Sequence, residues 1–484
     1  MIRLLALSVV VLALSVYAWR DWYKALCGLI LLIAVVEHPD MPKTIFGVQG
    51  LNLWNMLLSV VLLAWLSSRR RERLAWDMPR HVTWLLLVYF GVVLVGFLRM
   101  MADRAGLEET TAFLVSEYLI NTVKWVIPGL LLYDGCRSRK RFILGLSALT
   151  GVYVLLAIQV IRWMPIETAF SGDILSARSL KILANEVGFH RVNLAMMLAG
   201  ASWAVLATLS LVTRWSAATA VSGAGLVTIY ALALTAGRMG YVAWAVVGLV
   251  LGVLRWRQYL VIVPLVAVLG GWAVPGVLDR VGQGFEDEVT DVYTVTAGRN
   301  IAWPLVLDKI AEAPLAGYGR RAMERTGITA QLRDELDEDF AHPHNAYLEM
   351  LLDNGWIGLL LVAPFYLTIL GMAVRLLRDQ RSPYSIVAGA VMTSLVLALL
   401  VASVGSQTFY PREGAVPMWC AFGLALRVAV VRARVSARTR TTSLDPWLAP
   451  AASGWRVGRS GPRPAGHIRP PIGVASRGKE VPES

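Results

Sequence analysis

Apolar runs near the ~20 residues needed to cross a bilayer recur along almost the whole chain, separated by short polar junctions. The pattern predicts spans at roughly 4–18, 25–37, 53–66, 82–99, 117–133, 142–161, 191–212, 218–236, 239–254, 259–274, 346–374, 384–404 and 414–431. In lipid such runs are helical, because an unpaired backbone amide there costs several kcal/mol. The fold class predicted is therefore all-α, an integral membrane bundle of about 12–13 transmembrane helices. Two short runs flanking Arg20, Asp21 and Lys24 set that range. Counted separately they give about thirteen crossings with an outside N-terminus; merged as a re-entrant pair they give about twelve. The first run lacks the small-residue cleavage site of a signal peptide.

The pattern divides the chain into a multi-span bundle over 1–274, a large polar loop over 275–345, further spans over 346–434, and a tail over 435–484. Short helices are expected in the loop. The tail is rich in Arg, Ser, Pro and Gly and cannot bury enough apolar surface to offset ordering entropy, so it reads as a disordered, basic, cytoplasmic segment.

Basic clusters fall at every second junction: Arg69-Arg70-Arg71 with Arg73, Arg137 to Arg141, Arg214, Arg255 with Arg257, Arg375 to Arg381, and Arg427 to Arg434. The alternation holds across ten consecutive spans and marks those ends as cytoplasmic. Segments 162–190 and 275–345 then lie on the opposite, extracytoplasmic side. The acidic clusters in the loop, Glu286-Asp287-Glu288 and Asp334–Asp339, read as solvated surface rather than metal sites.

Composition agrees: the 484 residues are 56% hydrophobic and 16% charged, with mean hydropathy +0.58. The net charge of +13 sits in loops and forms no continuous stripe, so nucleic-acid binding is not expected. Cys27, Cys136 and Cys420 show neither disulfide nor zinc spacing. No GxxxxGK[ST], HExxH or GxSxG occurs, which argues against ATP-driven transport by this chain alone, a zincin and an ordinary serine hydrolase.

What remains is a set of polar residues on the extracytoplasmic side. Arg238, in TAGRMG, sits in a tight hairpin on the face where arginine is disfavoured. It is either a snorkelling side chain or an anion ligand approached through Gly237 and Gly240. Arg299, in AGRNIAW, begins an amphipathic stretch (Ile301, Trp303, Leu305, Val306, Ile310) that resembles a helix lying on a membrane surface; alone it reads as a surface charge. PLAGYGRRAM suggests a glycine turn presenting Arg320 and Arg321. In HPHNAYLEMLLDNGWIGLLL, Asn345 is a plausible N-cap, which sets His344 at the positive end of the next helix. A neutral imidazole there can take a proton from a hydroxyl. His342 is a second histidine nearby, and HxH without a third ligand is a weak metal signal; no metal or cofactor is expected. Arg191, in GFHRVNLA, is a further anion-ligand candidate.

These motifs resemble those of the O-antigen ligase and O-antigen polymerase superfamily of bacterial envelope glycosyltransferases, most strongly over about 235–425. TAGRMG is similar to its small-residue–Arg hairpin, and GRNIAW…APLAGYG to its Gly-Arg-x-x-x-Trp and Pro-Leu-x-Gly-x-Gly. HNAYLEMLLDNGWIGLLL is similar to its His-Asn-x-Tyr-Leu entry to the following span. The resemblance implies metal-independent transfer of a glycan from undecaprenyl pyrophosphate to a hydroxyl on lipid A–core or another envelope glycan. The site would lie on the periplasmic face of the bacterial inner membrane. It implies His344 as base and Arg238 and Arg299 as pyrophosphate ligands; Arg191, Arg320, Arg321 and Asn345 stand beside it as candidate substrate contacts read from their own positions in the sequence. A polymerase joining lipid-linked repeat units is the alternative within that class. A polysaccharide transporter or flippase, or a membrane scaffold, is the alternative outside it.

Overall fold

The structure, a computed structural model, describes residues 2–45, 47–73, 75–104, 106–283, 296–336, 340–405 and 407–438. The Glu286-Asp287-Glu288 cluster, the end of the Asp334–Asp339 run and the tail beyond residue 438 lie outside the described residues. From the N-terminus run α1 (Ile2–Ala18), α2 (Trp22–Leu31), α3 (Ile33–Val36), α4 (Leu53–Arg71), α5 (Arg80–Ala102), α6 (Thr111–Val115), α7 (Asn121–Lys124), α8 (Ile127–Gly135), α9 (Arg139–Trp163), α10 (Gly172–Ile182) and α11 (Arg191–Ala207). There follow α12 (Trp215–Leu234), α13 (Arg238–Leu254), α14 (Tyr259–Ala273), α15 (Pro275–Gly282), α16 (Arg299–Glu312), α17 (Ala322–Arg325), α18 (Ile328–Leu336), α19 (Ala346–Leu377), α20 (Pro383–Ala402) and α21 (Val416–Arg438). A two-residue hairpin, Thr44–Ile45 against Val48–Gln49, is the extent of β-structure among the described residues.

The protein is an all-α, multi-pass membrane protein. Seven helices among the described residues are long and apolar enough to cross a bilayer, and α14 with α15 makes an eighth if their 102° bend is one broken span. Three shorter apolar helices, at Arg3–Ala18, Trp22–Val35 and Arg238–Leu254, make up much of the difference from the dozen read in the sequence. The run at 117–133 is helical but broken, passing through a π-turn at Ser116–Ile120, then α7 and α8.

The core is built where small residues let helices approach closely, the usual device when lipid removes the hydrophobic drive for helix association. The apolar windows of α11, α20 and the α21 region are 72%, 83% and 89% buried, so these three form the centre. A Cβ on Gly423 would lie 2.0 Å from the Gly129 carbonyl oxygen, and one on Gly200 would press on Ala398 and Leu395.

The basic junctions meet at one end of this bundle. Arg427 is fully buried and donates to both Asp77 carboxylate oxygens at 2.8 and 2.9 Å. Arg137 and Arg434 also reach Asp77, and Arg69 pairs with Asp134. Burial alone would raise the Asp77 carboxyl, but Arg427 and Arg137 hold it well below the usual carboxylate range. Three sequence-distant junctions thus gather at a single end, as the alternation of charge requires.

At the other end, two sequence motifs interlock. Gly355 breaks α19 with φ 64° and ψ −169°, a conformation essentially restricted to glycine. The turn at Pro314–Gly319 fills the break. The Trp356 and Ile357 amides donate to the Pro314 and Leu315 carbonyls at 2.8 and 3.1 Å, and the Tyr318 and Gly319 amides donate to Leu352 and Asp353 at 2.8 and 2.7 Å. Backbone groups freed by the kink are therefore satisfied by the turn, as a helix broken at membrane depth requires. A Cβ at Gly355 would sit 2.2 Å from the Leu315 oxygen, so Gly355→Ala is expected to cost at least about 2 kcal/mol of strain and to unseat the turn. Thermal unfolding of the purified variant checks this: an unchanged Tm would show that the turn does not depend on the break.

The amphipathic stretch in α16 differs from its sequence expectation. Ala302, Val306 and Ile310 are buried against Met323, Ile328, Leu332, Phe340, Leu351 and Leu352. Its apolar face covers a small protein core rather than a membrane surface, because α17, α18 and the start of α19 fold back over it.

Candidate active site

Three helices begin at one place. Arg191 opens α11, Arg238 opens α13 and Arg299 opens α16. Their guanidinium groups, with that of Arg280 from α15, line a cavity of about 90 Å³. Helix N-termini carry partial positive charge and free amide donors, which adds to the four formal charges. No carboxylate lines this cavity among the described residues. Such a concentration of like charge on one cavity suits the binding of a multiply charged anion.

Each arginine is held by local structure. The α12–α13 hairpin turns through Ala236 at φ 54°, which aims Arg238 inward. Gly237 lines the cavity, and Gly237 and Gly240 also serve helix packing. A Cβ on either would lie 2.4 or 2.5 Å from the Ala195 methyl, so they let α13 pack against α11. Arg299 follows Gly298 (φ 74°) and donates one Nη to the Gly405 carbonyl at 2.7 Å; its buried Nε has no hydrogen-bond partner. Burial, then the neighbouring Arg238 charge, pulls the Arg299 guanidinium below its usual pKa. Arg191 donates to the Ser176 carbonyl and hydroxyl at 3.0 and 2.9 Å. Arg280 donates to the Ala236 carbonyl and to Gln283.

Beside this cavity lies a histidine cluster. The His344 and His342 rings meet edge to face at 4.3 Å, and Phe340 packs on His344 at 5.5 Å. Trp303 donates its indole N–H to the Pro343 carbonyl at 2.9 Å, so α16 holds the His-Pro-His segment in place. Asn345 caps α19, accepting from the Tyr347 and Leu348 amides at 2.9 and 3.2 Å. His344 itself has φ 53°. Burial pushes its imidazole down to about 3, helped by the positive fields of His342, Arg299 and His190. The ring is therefore neutral across the physiological range. Among the described residues, no group of three or more His, Cys, Asp or Glu side chains is disposed to hold a metal ion.

Arg320 and Arg321 do not join the arginine cavity. They line a second, polar cleft of about 220 Å³ on the other side of His342. Arg320 lies between the Tyr118 and Tyr410 rings at 4.8 and 4.0 Å, and Arg321 pairs with Glu109 and Glu324. The structure thus brings together Arg191, Arg238 and Arg299, sets His344 beside them, and separates Arg320 and Arg321. Sequence reasoning missed Arg280. The signal was available, since Arg280 breaks the charge alternation as Arg238 does.

Fold and site define a multi-pass membrane protein with an arginine-lined cavity and a neutral histidine at one end of its bundle. Residues 223–363, which contain Arg238, Arg280, Arg299 and His344, match the family described as O-antigen ligase. The chain is also 25% identical over 338 residues to the exopolysaccharide production protein ExoQ of Rhizobium meliloti (strain 1021), over 62% of this chain and 74% of that protein. Both likenesses point to the O-antigen ligase and polymerase superfamily of membrane glycan-processing enzymes.

Proposed function

We infer that this protein transfers a glycan from undecaprenyl pyrophosphate to an acceptor hydroxyl at the periplasmic face of the bacterial inner membrane. The observation that carries this is the convergence of four arginines and three helix N-termini on one cavity, with His344 at its edge. The basic junctions gather at the opposite end, which by the positive-inside rule supports a cavity facing away from the cytoplasm. Nucleotide donors are absent there, so a lipid pyrophosphate supplies the leaving group.

In the step proposed, the acceptor oxygen attacks the anomeric carbon, the bond from that carbon to the pyrophosphate oxygen breaks, and undecaprenyl pyrophosphate departs with the electron pair. His344 takes the hydroxyl proton. Charge grows on the pyrophosphate as it leaves, and fixed donors in a water-poor site stabilise growing charge strongly. Arginine suits this because its planar fork holds two phosphate oxygens at once.

Purified protein given undecaprenyl-pyrophosphate glycan, with either lipid A–core or a second equivalent of donor, distinguishes the possible outcomes. A single addition to lipid A–core marks a ligase, and a ladder of products marks a polymerase. The likeness to an exopolysaccharide production protein favours a glycan acceptor over lipid A–core. No transfer to either, with flipping of the donor across vesicles, would replace the transferase by a transporter.

The pH dependence has a definite sign. In the free protein His344 stays neutral down to about 3, because a proton there would face burial, His342 and Arg299. A bound pyrophosphate offsets those positive charges and raises the imidazole. The acidic limb of kcat, which reports the complex, is therefore expected at higher pH than that of kcat/KM, which reports the free enzyme. Profiles from pH 4.5 to 8 check this: kcat is expected to fall at the acidic end while kcat/KM stays level, and a kcat equally level there would show that His344 does not sense the donor.

A further inference from the structure

The cleft on the far side of His342 has an electrostatic character opposite to that of the arginine cavity. Its lining carries five carboxyl groups (Glu117, Glu324, Glu349, Asp353 and Glu413) against three guanidiniums. All three guanidiniums are already committed. Arg320 donates to the Tyr118 carbonyl and the Thr122 hydroxyl at 3.0 and 3.1 Å, Arg321 pairs with Glu109 and Glu324, and Arg412 pairs with Glu413. By contrast Glu117 accepts only from the Asn121 amide at 2.6 Å, and Glu349 forms no ion pair among the described residues. The buried Nδ1 of His342 has no hydrogen-bond partner.

A site with more carboxyl groups than guanidiniums and with acceptors to spare matches a ligand rich in hydroxyl donors and lacking negative charge. A phosphate or uronate would meet an excess of carboxylates, and like charges brought together at an interface are unfavourable.

The geometry points to this cleft as the acceptor subsite, taking an uncharged saccharide whose attacking hydroxyl reaches the reaction centre past His342. The inference rests on the transferase assignment above and adds the chemical class of the acceptor. Placement supports it. His342 lines the cleft, its ring touches that of His344, and His344 lies within the electrostatic reach of Arg299 in the other cavity. Donor pyrophosphate and acceptor sugar thus enter from opposite sides of the histidine pair, sorted by charge.

The test is binding, measured by saturation-transfer NMR on the purified full chain in detergent. Two probes are used, a neutral hexose tetrasaccharide and the same tetrasaccharide ending in a uronate. The neutral probe is expected to bind at least about tenfold more tightly, equivalent to about 1.4 kcal/mol. In the double variant Glu117→Gln, Glu349→Gln that preference should shrink to about threefold or less, while binding of undecaprenyl pyrophosphate is unchanged. Equal binding of both probes to the unmodified protein, tighter binding of the uronate, or no binding of either overturns the assignment. So does a preference that survives in the double variant. Failure of the cleft is distinguishable from failure of the transferase. If glycan transfer proceeds without the charge preference, only the cleft assignment falls. If transfer is never seen, the sugar preference still decides what the cleft binds.

Discussion

Replacing His344 with alanine is expected to slow glycan transfer by about 10²- to 10⁴-fold, the usual contribution of a positioned general base. Binding of undecaprenyl pyrophosphate should survive, because the four arginines and the helix ends that would hold it remain. The effect should fall on kcat rather than on the donor KM. Folding is a poor explanation for such a loss. The segment is held by the Trp303–Pro343 hydrogen bond and by the Asn345 cap, neither of which uses the imidazole. His342→Ala supplies the comparison. A far smaller loss there is expected if His344 receives the proton, and an equal or greater loss would transfer that role to His342. Measuring kcat and donor KM for both variants decides it.

Arg299→Lys should lose about 10²- to 10³-fold in kcat although it keeps its charge, the scale seen when one fixed donor to a developing anion is removed. Arg299 spends one Nη on the Gly405 carbonyl and keeps the rest of its fork for the cavity. Lysine has one flexible ammonium and cannot hold both. Arg238→Ala should lose as much or more, because Arg238 sits between the others: Arg191, Arg280 and Arg299 all feel its charge. Arg280→Ala should fall in the same class. A transferase with near-normal kcat in Arg299→Lys would remove Arg299 from the site.

Much of this was legible from residue order. The apolar runs fall on helices, and the alternation of basic junctions anticipated that Arg69, Arg137 and Arg427 would share one end. Arg238 stood out because it opposes that alternation, Arg191 as an arginine at the mouth of a span and Arg299 through the family resemblance, and the structure puts all three in one cavity. Asn345 was readable as a cap because a residue two past proline, before an apolar run, has few other uses. The rest depended on contacts that periodicity does not encode. PLAGYG reads as a turn that presents arginines, yet its backbone fills the break at Gly355, a pairing between residues about forty apart in sequence. Gly237 and Gly240 read as room for a ligand, yet face the Ala195 methyl. The α16 stripe reads as a membrane surface because a 3.6-residue period says that a face is buried, not what buries it. Arg280 was passed over as one charge at the head of a long loop. Its meaning lies in the 102° bend that carries it back to the α12–α13 hairpin.

The central claim is that this cavity and His344 together cleave the bond between glycan and lipid pyrophosphate in favour of an acceptor hydroxyl. Its most direct test counts undecaprenyl pyrophosphate released and glycosidic bonds formed by protein reconstituted with lipid-linked donor and acceptor. One release per bond is predicted for the unmodified protein, with neither event above background in His344→Ala or Arg238→Ala. Donor that crosses the bilayer unchanged in all three proteins, with no release and no bond, would contradict it.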